Sequence, residues 1–149
     1  MIKKIFFCIL LFSLGNCGYE PLYLKKTDLN EKIKSFQVTG DKKINREIIS
    51  SLNLKKQGKT DGYELIMNSS KEVQTVSKDK SGNSSIYKTL ITVKISLVDT
   101  DKVTKEKTFS AQFIYNNIKN KFDLSQYQKE IEINLINAIV EEIIVFLTI

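Results

Sequence analysis

Histidine and tryptophan are absent from this chain of 149 residues, proline and arginine occur once each, and cysteine occurs twice. Without histidine, the commonest general base near neutral pH and a principal metal ligand are missing. Both cysteines, Cys8 and Cys17, fall at the N-terminal end. Neither leaves a thiol for a disulfide, a metal or a nucleophile in the body of the chain if that end is a processed leader. Arg46 is the single arginine among 23 basic residues, so positive charge is delivered as lysine ammonium groups rather than as the planar fork that reads phosphate bidentately. No glycine-rich phosphate loop occurs. A reaction would have to run on Asp, Glu, Lys, Ser and Tyr, and nowhere are these grouped into a nucleophile with its base. The expectation is a protein that is not an enzyme, with no cofactor and no metal.

What is present begins at the first residues. Lys3 and Lys4 precede an apolar run over 5–14, and Leu14-Gly15-Asn16-Cys17 follows. A basic head, a short apolar stretch and a small-residue approach to a cysteine read as a bacterial lipoprotein signal, with Cys17 as the acylated residue. Asn16 stands where Gly, Ala or Ser is usual, so the reading rests on Leu14, Gly15 and Cys17 together. The apolar run is about half the roughly 20 residues that a membrane-spanning helix wants. The expected organisation is a signal peptide over 1–16, a lipidated N-terminus and tether over 17–32, and one domain over 33–149. Loss of Lys3 and Lys4 lowers the formal charge from +6 to +4, a mildly basic surface that suits an anionic partner without specifying one. The remaining length is enough for a single core.

The body reads as β-α-β-β-β-α. A strand over 33–38 places Phe36 and Val38 on one side and ends at Gly40-Asp41. Asp41 is a helix cap, Ile44, Ile48, Ile49 and Leu52 follow at helical spacing, and Gly58 is the expected stop. Tyr63, Leu65 and Met67 open a second strand that runs on toward Val76. After a turn at 79–83, Tyr87, Ile91, Val93, Ile95 and Leu97 share one face of a third strand, with Lys88, Thr92, Lys94 and Ser96 on the other. A tight turn at 99–102 leads to a fourth strand with Phe109, Ala111, Phe113 and Tyr115 facing inward and Thr104, Glu106, Thr108, Ser110 and Gln112 facing out. Asp123 is the expected cap of the last helix, with Gln126 at its third position and Phe122 stapled onto Tyr127. Ile131, Leu135, Ile136, Ile139, Ile143 and Leu147 make that helix's apolar stripe, and Glu130, Glu132, Asn134, Asn137, Glu141 and Glu142 its polar side. Glu141 and Glu142 argue against a membrane span. The apolar tail over 143–149 reads as core, with a partner-binding or lipid-touching end as the rival. The fold class is thus α+β, two helices packed on one face of a four-stranded, mainly antiparallel sheet with its other face wet.

Cys17-Gly18-Tyr19-Glu20-Pro21-Leu22-Tyr23, with Leu14-Gly15-Asn16 before it, resembles the start of the LPS-assembly lipoprotein LptE family. The element order, Tyr115-Asn116 at the end of the fourth strand and the long closing helix are similar to the same family's pattern, though specific only near the N-terminus. The resemblance implies a lipid-anchored outer-membrane lipoprotein on the periplasmic face. It would plug the lumen of an LptD-like β-barrel, support its assembly and help pass lipopolysaccharide outward. Gly18, where an Asp would signal retention at the inner membrane, fits that location. The face bearing Lys88, Thr92, Lys94, Thr108, Ser110 and Gln112 is the candidate contact for the barrel or for lipopolysaccharide, since a lumen wall is polar and lysines meet phosphates as point charges. A plainly solvated face is the competing explanation. The alternative function is an auxiliary lipoprotein of an ABC-type lipid transporter in the periplasm. No nucleic-acid partner is expected.

Overall fold

The computed structural model describes residues 29–55 and 61–148. The expected signal, Cys17, the tether as far as residue 28 and the expected stop at Gly58 lie outside the described residues. Along the chain run α1 (Leu29–Lys32), β1 (Ile33–Gly40), α2 (Lys42–Ser51), β2 (Tyr63–Lys78), β3 (Ser84–Asp99), β4 (Lys102–Asn116) and α3 (Lys121–Thr148). The strands form one sheet in the order β1-β2-β3-β4. β1 is parallel to β2, and the other two pairs are antiparallel hairpins. The α+β architecture matches the sequence expectation, with the single turn α1 added ahead of β1. Its Leu29 and Asn30 are buried, and the Asn30 side chain bonds the backbone at Asn53 and Lys55.

Period-two alternation builds the core. Leu65 and Met67 on β2, Ile91, Val93, Ile95 and Leu97 on β3, and Phe109 and Tyr115 on β4 all point to the side that carries α2 and α3. Ile44 and Ile48 of α2, and Ile136, Ile139 and Ile143 of α3, meet them there. The tail is core: Phe146 and Leu147 are buried, and Phe146 meets Phe109 edge-on at 5.7 Å. Lys105 of β4 donates to the Phe146 carbonyl at 2.9 Å, satisfying one of the orphan acceptors at the C-terminus of α3. At the other end of α3, Tyr127 stands edge-on to Tyr115, and Gln128 donates to the Tyr115 hydroxyl. Among the described residues no helix is long and apolar enough to cross a membrane.

The parallel crossover turns on Gly40. Its φ is +88°, and a Cβ there would lie 1.9 Å from the Ser69 carbonyl oxygen. Asp41 follows at once, donates its backbone N–H to that same oxygen, and caps α2 through bonds from the N–H groups of Lys43 and Ile44. The buried Asn45 and Ser69 side chains close the junction with a 2.7 Å hydrogen bond. The helix ends at Ser51, where Asn53 takes the left-handed conformation, φ 52°.

Five sequence expectations are corrected. Asn120, rather than Asp123, caps α3: its side-chain oxygen accepts from the Phe122 N–H at 2.9 Å, which leaves Asp123 inside the first turn. Phe122 is 68 % exposed and staples to nothing. Phe113 lies on the inward face but is 45 % exposed, because β4 is an edge strand and the side chain sits at its uncovered margin. Thr104 leaves the outward face: the register slips between Leu97 and Val98, so Val103 takes the place opposite Val98 and the Thr104 hydroxyl bonds the Leu97 carbonyl. Glu132, expected on the polar side of the last helix, is 5 % exposed.

Two comparisons check this packing by urea melting. Phe109→Ala should cost about 3–5 kcal/mol and Phe113→Ala less than about 2, because only the first empties a closed site; equal losses would refute the register. Gly40→Ala should cost more than about 2 kcal/mol, with both strain and clash acting. Gly82→Ala, also at positive φ but with open space around it, should cost about 1–2 kcal/mol. A Gly40 variant as stable as wild type would remove the crossover argument.

Candidate functional site

The six candidate residues stand together. Alternation along two hairpin-linked strands sends their side chains to the face that carries no helix among the described residues, and the register sets them rung by rung. Asn68, Lys94 and Thr108 share one rung across β2, β3 and β4; Ser70, Thr92 and Ser110 share the next; Glu72, Leu90 and Gln112 the third; Gln74, Lys88 and Ile114 the fourth. Thr108, Ser110, Gln112 and Lys94 are exposed, and Lys88 and Thr92 are partly covered by their neighbours.

The two lysines differ. Lys94 pairs with Glu106 at 2.9 Å, and Ser96 donates to the same carboxylate at 2.7 Å. The hydrogen bond from Lys94, then that from Ser96, holds the Glu106 carboxyl below its ordinary pKa. Among the described residues Lys88 makes no ion pair, so it is the cation this face offers to an outside anion.

The face reaches further than the sequence analysis placed it. Thr39 pairs with Asn68 in register, and Gln37 donates to Glu64 across the parallel pair. These residues, with Asn68, Ser70, Glu72 and Gln74 of β2, carry the same surface onto the other half of the sheet. The signal was available: even-numbered residues from Glu64 to Gln74 are polar except Ile66. The face is also less uniformly polar than expected. Ile66 and Ile114 are exposed on it, and Leu90 lies between them.

A second charged cluster sits on the opposite side. Glu132 of α3 is buried against Lys43 of α2 and Lys71 of β2, with Lys43 Nζ 2.9 Å from Oε1 and Lys71 Nζ donating to Oε2 at 2.9 Å. Burial raises the Glu132 pKa, but the Lys71 and Lys43 contacts outweigh it, so the carboxyl stays below its ordinary value and ionised at neutral pH. Such an acid is a poor general base, and all three partners are spent on one another. The cluster fastens α2, α3 and β2 at one point and thereby helps hold both helices to one side. Among the described residues no group of histidine, cysteine or acidic side chains could hold a metal ion.

No protein-family model matches this chain, and no curated protein matches it in sequence. Solved structures do share the fold. The rare lipoprotein B from Shewanella oneidensis is 15 % identical, with a TM-score of 0.60 over 76 % of this chain and 93 % of that one. A minor lipoprotein from Acinetobacter baumannii is 16 % identical, with a TM-score of 0.55 over 74 % and 87 %. Lipoprotein B from Nitrosomonas europaea is 14 % identical, with a TM-score of 0.51 over 74 % and 79 %. The architecture is therefore one that bacterial lipoproteins carry.

The Glu132 cluster yields a signed test. The depressed pKa of Glu132 contributes stability that is present above its unfolded value, near 4.5, and lost as pH falls through the folded one. In Lys43→Met with Lys71→Met the carboxylate is buried without a partner, its pKa rises, and the penalty appears only where it must ionise. The urea-midpoint gap between wild type and this double variant should be wide at pH 7 and narrow toward pH 4. A gap constant over that range would show that Glu132 is not the coupled group.

Proposed function

We propose that this chain is an outer-membrane lipoprotein, acylated at Cys17 and lying on the periplasmic face, that sits in the lumen of an LptD-like β-barrel and supports its assembly in lipopolysaccharide transport. The observation that carries the reading is the bare face of the sheet. A monomeric domain that kept one side of a four-stranded sheet free of helices would have only water to meet it. The rows of hydroxyls, amides and lysines there match the polar lumen wall of an outer-membrane barrel. The fold shared with bacterial lipoproteins and the run from Leu14 to Tyr23 support the same reading. The role is non-enzymatic: it requires contact and charge, which the face has, and no nucleophile. Lys88 is the residue best placed to meet a lipopolysaccharide phosphate, because Lys94 is already engaged by Glu106.

Photo-crosslinking in intact cells tests it. Probes at Thr92 and Ser110 should trap one large β-barrel protein, and a probe at Phe109, 1 % exposed, should trap nothing. Lys88→Glu with Gln112→Glu should cut capture of that barrel at least about tenfold by adverse charge, while shifting stability by less than about 1 kcal/mol. Crosslinks to a subunit of an inner-membrane transporter would move the assignment to the auxiliary-lipoprotein alternative. Absence of any crosslinked protein across the face would end both.

Acylation is tested separately. Cys17→Ser should abolish labelling by a radioactive fatty acid and leave the signal retained or aberrantly cut; labelling that persists would refute the lipoprotein assignment.

A further inference from the structure

β2 changes character at Ser69. Up to that residue it has β1 on its outer side and buries Leu65, Met67 and Ser69 beneath the helices. Beyond it, among the described residues, no strand pairs with its outer side, and every residue from Ser70 to Lys78 is exposed except the half-buried Ser77. The register slips on both sides of Ser77, which leaves Val76 opposite no residue of β3. What holds residues 72–78 is therefore the ladder to β3, with one 2.8 Å contact between the Thr75 and Ser84 hydroxyls.

Both ends of this stretch are fixed. At the base, Lys71 donates to the buried Glu132, and Ser69 just before it is tied to Asn45. At the tip, Asp79 closes the turn by accepting from the N–H groups of Ser81 and Asn83. β3 has separate support on its other side. Asn117 binds the carbonyls of Ser84 and Ser85, Tyr87 lies 5.8 Å from Tyr115, and the Thr89 hydroxyl meets the Tyr115 hydroxyl. A strand segment with no buried face and no outer neighbour belongs to the low-stability end of a structure, where local opening precedes global unfolding.

We infer that residues 72–78 of β2 are a strap, which leaves β3 and returns as one unit between the Lys71 anchor and the turn while β3, β4 and the helices stay folded. Closed, the strap sets Glu72 beside Leu90 and Gln74 beside Lys88, and so completes the third and fourth rungs of the bare face. Open, it withdraws Glu72, the acid diagonal to Lys88 across the ladder. The state of the strap thus decides whether that unpaired cation has a carboxylate near it. This consequence rests on the bare face being a contact surface; the opening itself does not.

Hydrogen exchange read amide by amide, on the full chain in detergent micelles with and without mild urea, tests the opening. Successive N–H groups of β3 over 85–91 point alternately to β2 and to β4. Strap opening predicts that the set bonded to β2, with its partners in 72–78, exchanges at least about a hundredfold faster than the set bonded to β4. Mild urea should hardly move the first set, which exposes little surface on opening, and should speed the second. Val73→Gly with Thr75→Gly should speed the first set at least about tenfold and leave the second unchanged, since both side chains lie outside the core. Ile95→Val, inside the core, should do the reverse. If the glycine pair fails to fold, the wild-type pattern and Ile95→Val decide. Equal rates for the two sets overturn the inference, as does acceleration of both by the glycine pair. A strap that opens as described on a face whose probes at Thr92 and Ser110 capture no protein would remove the consequence for Lys88 alone.

Discussion

Apolar residues at every second position of β2, β3 and β4 meet the stripes of α2 and α3 across a single interface, and the rest of the molecule depends on that one-sidedness. Because the apolar core is confined to one face, the chain can change an outward residue of the sheet without emptying a core site. Both helices are held to that side by different means at different places. Phe109 against Phe146 closes one end, Tyr115 with Tyr127 and Gln128 closes the other, and the Gly40–Ser69 junction fixes where α2 leaves the sheet.

Glu132 is the polar exception inside this apolar layer. A buried carboxylate with two lysines is weak evidence of net stability, because the desolvation cost offsets much of the attraction. Its effect is geometric. Apolar stripes tolerate sliding and rotation, whereas a carboxylate that must lie between an ammonium on α2 and another on β2 admits one arrangement of three elements. The cluster therefore selects among packings of similar hydrophobic energy, and its lysines, being partly exposed, stay hydrated while they do so.

The strands, the crossover helix and the closing helix were legible because their periodicities are clean over many residues. Asp41 was legible as a cap because nothing upstream competes with it. What the sequence concealed were features decided by neighbours. Asn120 and Asp123 are both acceptable caps three residues apart, and the choice depends on where Asn117 anchors the loop, through its bonds to Ser84 and Ser85. Phe113 obeys the inward parity, yet parity says nothing of whether a helix reaches that far across the sheet. Glu132 lies on the border of the stripe, and only Lys43 and Lys71, remote in sequence, draw it inside. The bulge at Thr104 leaves no mark on the alternation until the partner strand is known. Of the candidate face, the rungs on β3 and β4 were legible, and their continuation through β2 was present in the even-numbered polar residues, interrupted only by Ile66.

Strand length exceeds helix cover, which shapes what the fold can do. β2 and β3 are 16 residues each, about 50 Å at the usual rise, whereas α2 at 10 residues spans about 15 Å. The part of β2 past Lys71 thus projects without backing from α2, and Val73 and Val76 are half exposed there. An alternating pattern of apolar and polar residues is enough to dictate such a sheet with helices on one side, which is how chains only 14–16 % identical arrive at it. At Gly40 the fold makes a specific demand, because a side chain there would meet the Ser69 carbonyl. The outward residues of the bare face meet no core side chain, so the fold leaves their identity open.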